Sequence, residues 1–283
     1  MSRRRSIVKP LALVLGFTFL YAPIISMMFF SFNRSKLVTV WDSANSPTLY
    51  WYGKLFENEQ ILDAAWLSIR IGAMTATGAV ILGTLAGLVL ARFGPFKGRT
   101  LLSGMTTAPL VMPEVITGLS MLLLFVSMEQ ILGWPQGRGI LTITIAHITF
   151  TMAYVTVIVQ SRLAGFDDSL EEAAMDLGAR PAKVFFRITL PLIMPAILSG
   201  WLLAFTLSWD DVVISQFAAG PGSTTLPMVI FSKVRLGVSP DVNALATLLV
   251  LAIAIAVTLG AWLMRRQEKK RDREIQLAIA ENK

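Results

Sequence analysis

Long runs of hydrophobic residues dominate the chain, and six of them extend over about twenty residues or more. A helix rises about 1.5 Å per residue and the hydrocarbon core of a bilayer is about 30 Å thick, so each run is long enough to cross a membrane. The pattern predicts an all-α polytopic membrane protein with six transmembrane helices. The predicted spans are Leu11–Phe32, Ala64–Ala91, Thr100–Met128, Gly139–Gln160, Ile188 to about Ser215, and Val242–Met264.

The composition excludes several classes of protein. Of the 283 residues, 54% are hydrophobic and 15% are charged, whereas about a quarter of the residues in soluble domains are charged. The absence of cysteine excludes disulfides, thiol catalysis and cysteine-ligated metals, and a single histidine cannot build a multi-histidine metal centre. Because the sequence lacks a phosphate-binding loop, any use of ATP must take place on another chain.

The distribution of lysine and arginine predicts the orientation in the membrane. With the N-terminus inside, the four cytoplasmic segments hold 18 of these residues, the external loops hold 6, and Arg70 lies within a span. Positive residues are retained on the cytoplasmic side, so both termini are predicted to be cytoplasmic. This asymmetry accounts for the net charge of +7 without a nucleic-acid partner.

The N-terminal sequence admits two interpretations. Basic residues 3–5 precede the first hydrophobic run, as they do in a secretory signal. The run is long and ends without a small-x-small cleavage pattern, which favours an uncleaved first helix. The predicted organisation is a cytoplasmic tail (1–10), a six-helix membrane domain (11–264) and a charged cytoplasmic tail (265–283).

The cytoplasmic loop at residues 161–191 carries the most specific local signals. Ser169 and Glu172 have the spacing of a capping box, which predicts a short helix from about Leu170 to Leu177. Gly178 suits the left-handed position that ends a helix, and Pro181 suits the first turn of the next one. The resulting helix–turn–helix elbow fits either the groove of a cytosolic partner or the surface of the lipid headgroups.

A motif in this elbow resembles that of a known family. Glu172-Ala173-Ala174, three residues, Gly178, nine residues and Ile188-x-Leu190-Pro191 resemble the coupling-loop motif of permease subunits in binding-protein-dependent ABC importers. Three further stretches, 110–120, 205–213 and 240–246, are similar to the polyamine branch, the putrescine and spermidine permeases. The similarity covers nearly the whole chain except its two tails.

This resemblance implies a type I importer permease of MetI-like architecture, a transport subunit of the bacterial inner membrane rather than an enzyme. It implies a homologous second permease, two ATPase subunits that bind ATP and Mg, and a periplasmic polyamine-binding protein, with no cofactor in this chain. Which polyamine or other cationic amine is carried stays open. The residues implied to couple to the ATPase are Glu172, Ala173, Ala174, Gly178, Phe185, Ile188, Leu190 and Pro191.

Carboxylates in the spans are the candidate substrate contacts, because a charge inside the membrane is costly unless it faces a cavity or a partner. Glu114 is predicted near mid-membrane in a span kinked by prolines, and Asp210 and Asp211 near the outer end of the fifth span, beside Trp209. A linear di- or triammonium substrate needs carboxylates and aromatic faces. The alternatives are internal pairing, for example with Arg70, and simple exposure at the outer surface.

Two other functional classes compete with an importer subunit. In an ion-coupled secondary transporter, His147 and Glu114 could relay protons, although such proteins usually show internal repeats and none is persuasive here. A lone histidine in a span more commonly bonds a hydroxyl or carbonyl group, and Thr144, Thr149 and Thr151 are nearby candidates. A membrane scaffold would leave the intramembrane carboxylates without a purpose.

Overall fold

A computed structural model describes residues 8–37, 40–167, 169–237 and 239–281. All regular secondary structure in these ranges is helical, and six helices are long and apolar enough to cross a membrane, as predicted. The basic residues at positions 3–5 lie outside the described ranges. The six spanning segments are Lys9–Phe30, Glu59–Arg92, Glu114–Leu132, Ile140–Ala164, Pro181–Trp209 and Pro240–Trp262.

Twelve α-helices and one π-helix are found in the described ranges. They are α1 (Val8–Phe30), α2 (Tyr50–Phe56), α3 (Glu59–Arg92), α4 (Arg99–Val111), α5 (Glu114–Leu132), α6 (Ile140–Ala164), α7 (Ser169–Asp176), α8 (Pro181–Val184), the π-helix (Phe185–Thr189), α9 (Leu190–Trp209), α10 (Val213–Ala218), α11 (Leu226–Leu236) and α12 (Pro240–Glu281).

The third span differs from the prediction of one kinked helix over Thr100–Met128. The helix breaks completely at Met112, whose φ of −78° and ψ of 137° are those of extended chain, and α5 begins only after Pro113. A residue that precedes proline is driven out of the helical region, and proline has no N–H to continue the hydrogen-bond ladder. Glu114 therefore lies in the first turn of a new helix and not in the middle of a span.

The end of the fifth span was also predicted wrongly. The chain leaves the helix at Trp209, turns through residues 210–212 and then forms the short helix α10, whereas the sequence predicted one helix to about Ser215. Asp210 is the C-terminal cap of α9, and its N–H donates to the Thr206 carbonyl at 3.1 Å. Both aspartates consequently lie in a turn between two helices.

The described residues form two compact units, one from those up to 59 and from 233 onwards, and the other from those between 60 and 232. In the first, α12 packs against α1 and α2. Buried Asn33 organises the segment after α1: its Nδ2 donates to the Val40 carbonyl at 2.7 Å and its Oδ1 accepts the Asp42 N–H at 3.0 Å. The Trp51 indole N–H donates to the Asn33 carbonyl at 2.8 Å, so this polar loop has a defined structure.

The second unit is built around α6, which contributes to two hydrophobic clusters. The first half of α6 packs with α3, α5 and α10, and its second half packs with α3 and α9. Two glycines allow α3 to approach closely: a Cβ at Gly83 would lie 2.7 Å from Val155 Cβ, and one at Gly87 would lie 3.1 Å from Val159 Cβ. The central packing therefore depends on small residues facing β-branched ones.

Candidate functional site

The turn between α9 and α10 brings the two aspartates into different environments. Asp211 accepts the N–H groups of Ile214 at 3.2 Å and Ser215 at 2.7 Å, so its carboxylate caps the start of α10. Its side chain is 6% exposed. Asp210 is exposed, which leaves its carboxylate available to a ligand. Only Asp210 of the pair is therefore open to solvent.

Glu114 completes a group of three acidic side chains, which we call the carboxylate cleft. The break before α5 places Glu114 beside the α9–α10 turn, where it lines a cavity of about 290 Å³ together with Asp210 and Asp211. The other lining residues are Phe150, Leu207, Val212 and Val213. A small cleft with anionic and apolar walls can bind an ammonium group and the methylenes attached to it.

His147 is buried beside the cleft and binds residues from two other elements. Its Nδ1 lies 2.7 Å from Ser208 Oγ, and its Nε2 lies 3.1 Å from Asp211 Oδ2 and 3.2 Å from Ser215 Oγ. This buried group joins α6 to the end of α9 and the start of α10. It fixes the turn that presents Asp210 to the cleft.

The sequence predicted the wrong partners for His147. The hydroxyls of Thr144, Thr149 and Thr151 all bond to carbonyls of their own helix, at 2.7–2.9 Å. Nothing in the spacing along α6 indicates Ser208 or Asp211, which are distant in sequence. Within the described ranges, Arg70 pairs with none of the three cleft carboxylates and instead lines a separate cavity of about 440 Å³ with Asp63.

Trp209 belongs to an aromatic ladder along α9. Its ring stacks on Phe205 with centroids 5.9 Å apart, and Phe205 stacks on Trp201 at 5.4 Å. The three residues are spaced four apart and so share one face of the helix. Trp209 is next to Asp210 in sequence but is not among the residues that line the cleft.

The predicted elbow is present, with one difference at its start. Helix α7 already includes Ser169, whose N–H donates to the Asp167 carboxylate at 3.0 Å and thereby lowers the pKa of Asp167. The predicted capping box between Ser169 and Glu172 does not form, since Ser169 is inside the helix. Gly178 has a φ of +84°, and the Ala179 N–H donates to the Ala174 carbonyl at 3.1 Å, which closes the predicted C-terminal cap.

The predicted coupling residues divide between the two arms of the elbow. On α7, Glu172 and Ala173 are exposed and Ala174 is partly buried. Helix α7 contains no buried residue, and Leu177 beside it is 89% exposed. On the second arm, Phe185, Ile188 and Leu190 are partly buried, whereas Phe186 and Pro191 are exposed. The elbow thus presents both apolar and charged groups at its surface.

The π-helix in the second arm was not predicted. The Leu190 N–H donates to the Phe185 carbonyl, five residues back, instead of four. Pro191 follows directly, and in a regular helix its ring would clash with the carbonyl of Arg187. The wider turn relieves this clash. Pro191 was therefore the feature of the sequence that could have indicated a π-helix. Single π-turns inside helices are frequent at functional sites.

Known proteins resemble this chain over most of its length. It is 58% identical to the putrescine transport system permease protein PotI of Escherichia coli K12 over 266 residues, which are 94% of each chain. It is 39% identical to the spermidine/putrescine transport system permease protein PotC of the same organism, over 90% of this chain and 92% of that one.

Solved structures of transporters share the fold. A chain of a bacterial ABC transporter that imports the acidic polysaccharide alginate matches with a TM-score of 0.70 at 18% identity, covering 92% of this chain and 97% of that chain. A chain of the MetNI methionine ABC transporter matches with a TM-score of 0.58 at 14% identity, covering 71% of this chain and 92% of that chain.

The family comparison covers most of the membrane domain. Residues 79–273 match the binding-protein-dependent transport system inner membrane component family, and this range includes the carboxylate cleft and the elbow. The predictions of a transport subunit, not an enzyme, and of a multi-pass membrane protein are confirmed. The chain belongs to the family of binding-protein-dependent transport system inner membrane components.

Proposed function

We propose that this chain is a permease subunit of an ATP-driven importer and forms half of the pathway for a polyamine. The observation that carries this proposal is the carboxylate cleft, found in a chain that is 58% identical to a putrescine permease. Putrescine is the favoured substrate, because the identity to the spermidine/putrescine permease is lower, at 39%. Another small cationic amine is the alternative.

The chemistry of the cleft suits an ammonium ion. Asp210 and Glu114 are exposed and available, while Asp211 is occupied by His147 and by the N–H groups of α10. A charge-assisted hydrogen bond contributes about 1.5–3 kcal/mol, so two open carboxylates can replace much of the water around an ammonium group. Trp209 does not line the cleft, and it is proposed to contact methylene groups of the substrate that extend beyond the cleft, through the exposed part of its ring.

The proposed assembly contains a homologous second permease, two ATPase subunits and a periplasmic polyamine-binding protein. One solved neighbour, the alginate transporter, was determined in complex with a periplasmic protein. ATP and Mg bind the ATPase subunits, and the elbow of this chain, including Glu172 and Gly178, docks on them. Closure of the ATPases then rotates the spans and opens the cleft to the periplasm. Both termini are proposed to be cytoplasmic.

A proton relay through His147 and Glu114, as in an ion-coupled transporter, has less support. The ring nitrogens of His147 are bonded to Ser208, Asp211 and Ser215. Glu114 is absent from this group, and the described ranges contain no chain of hydrogen bonds that joins the two residues.

Neutralising the open carboxylates tests the substrate assignment. In proteoliposomes with the complete importer, Asp210→Asn and Glu114→Gln are each expected to lower putrescine uptake about tenfold, the effect of losing one charge-assisted bond. The matched control is Asp63→Asn, an exposed carboxylate in the separate cavity. Normal uptake by the Asp210→Asn/Glu114→Gln double variant, in a complex that assembles, would refute the assignment.

A further inference from the structure

Glu171 lies at a point where four elements of the second unit meet. The Arg92 guanidinium, at the end of α3, donates to Glu171 Oε1 at 3.2 Å. The Thr189 hydroxyl, at the end of the π-helix, donates to the same oxygen at 2.6 Å. Arg92 also lies over the ring of Phe166, just after α6, at 5.3 Å from its centroid. We call these four residues the Glu171 node.

The node connects α7 to α3, two helices that share no hydrophobic cluster in the described ranges. A cavity of about 470 Å³ lies between the end of α3, helix α7 and the second arm of the elbow, and its apolar lining includes Leu88, Phe93 and Met175. No residue of α7 is buried. Helix α7 is therefore held to α3 mainly by the ion pair between Glu171 and Arg92, and not by buried apolar side chains.

The contacts of the node are protected enough to be strong. The side chains of Arg92 and Glu171 are 21% and 20% exposed, and Thr189 is buried. Surface ion pairs contribute about 0–1 kcal/mol to stability. A shielded carboxylate that accepts hydrogen bonds from both a guanidinium and a hydroxyl contributes more. Loss of Glu171 would leave the buried Thr189 hydroxyl without its acceptor.

Thr189 connects the node to the start of α9 in the fifth span. Thr189 is the last residue of the π-helix, after which α9 begins and continues to the carboxylate cleft. The π-turn departs from the regular hydrogen-bond ladder of a helix, and single turns of this kind are frequent at functional sites. A force that enters at α7 would be absorbed by this turn unless another contact fixed its far end, and Glu171 provides that contact.

We propose that Glu171 is a positioning residue of energy coupling, which clamps α7 to α3 and to the start of α9 so that the two spans move with the elbow. This inference rests on the proposed function, in which an ATPase displaces α7. It adds that the force passes through one carboxylate to two spans at once. The neighbouring Glu172, which belongs to the motif, is exposed and therefore open to a partner in the proposed assembly.

The test uses the assembled importer and two readouts, ATP hydrolysis and the accessibility of a unique cysteine. The chain contains no cysteine, so Val213→Cys at the cleft gives a single label site. In the otherwise unchanged chain, ATP is expected to change the rate of maleimide labelling at this position. With Glu171→Gln, Arg92→Gln or Thr189→Val, ATP hydrolysis is expected to continue while the ATP-dependent change in labelling shrinks about tenfold.

Two further variants separate coupling from stability. Asp176→Asn is the control, because Asp176 is an exposed carboxylate on the same helix. The charge exchange Glu171→Arg with Arg92→Glu restores the α3 contact and is expected to recover part of the response to ATP, which a general loss of stability would not allow.

The outcomes distinguish the node from the proposed function. Variants that keep the full ATP-dependent labelling change, in complexes that assemble and hydrolyse ATP, would overturn the role of Glu171 alone. A wild-type complex that responds to ATP but carries no polyamine would overturn the substrate assignment and leave the node standing. A chain that does not assemble with an ATPase would overturn both.

Discussion

At the residue scale, His147 shows how far a sequence can predict a buried polar contact. A lone histidine in a span predicts a hydrogen-bonded ring, and the ring is hydrogen-bonded through both nitrogens. Its partners could not be predicted, because Ser208 and Asp211 reach it only after α9 has packed along α6 and ended at Trp209. The spacing of threonines along α6 favoured the wrong contacts, since each threonine is satisfied by its own helix.

The His147 contacts give a prediction about stability. We expect His147→Ala to lower the free energy of unfolding by about 1–3 kcal/mol, because it removes one hydrogen bond from the buried Asp211 carboxylate and leaves the buried Ser208 hydroxyl without its partner. Thermal denaturation of the purified protein in detergent measures the effect. His147→Gln can donate and accept, and should recover part of the loss. Thr149→Val is the control on the same helix, and equal destabilisation by it and His147→Ala would contradict a special role for the ring.

At the element scale, the helix ends set by glycine and proline were the most predictable features. Gly178 ends α7 in the left-handed conformation and Pro181 begins α8, as the sequence indicated. The sequence predicted that prolines would disturb the helices, but it did not predict the form of each disturbance. Pro113 separates two helices instead of kinking one, and Pro191 is preceded by a π-turn. Whether a proline bends, breaks or widens a helix depends on tertiary contacts that can replace the lost hydrogen bond.

The conformation of Gly178 gives a prediction about the elbow. A side chain at φ +84° costs about 1–2 kcal/mol, although a Cβ there would meet no atom within 4 Å. We therefore expect Gly178→Ala to weaken recovery of the ATPase subunits with the permease, and Gly178→Val to weaken it further. Co-purification of the permease with the ATPases measures this recovery.

Gly165→Ala is the matched control, because its surroundings are equally open and its φ is −96°. Equal recovery of all three variants would show that the angle of the elbow does not govern docking.

At the scale of the whole molecule, the number of spans was predictable and the cleft was not. An apolar run long enough to cross a bilayer is a local property, so all six spans were found from the sequence. The carboxylate cleft depends on the break before Glu114 and on the end of α9 before Asp210, two events far apart along the chain. The sequence therefore drew attention to Glu114, Asp210 and Asp211 but could not predict that one cavity joins them.

The lysine and arginine distribution gives a prediction about orientation. With 18 of these residues in the predicted cytoplasmic segments and 6 in the external loops, the N-terminus, the 93–98 loop and the elbow should face the cytoplasm.

Labelling of single cysteines tests this orientation. Ala44→Cys and Gly94→Cys place unique thiols at exposed positions in the first external and first cytoplasmic loops. A membrane-impermeant maleimide should label Ala44→Cys in spheroplasts, and Gly94→Cys only after permeabilisation. The unsubstituted chain, which has no thiol, is the control. The reverse pattern would place the elbow outside, away from any cytosolic ATPase, and the coupling proposal would fail with it.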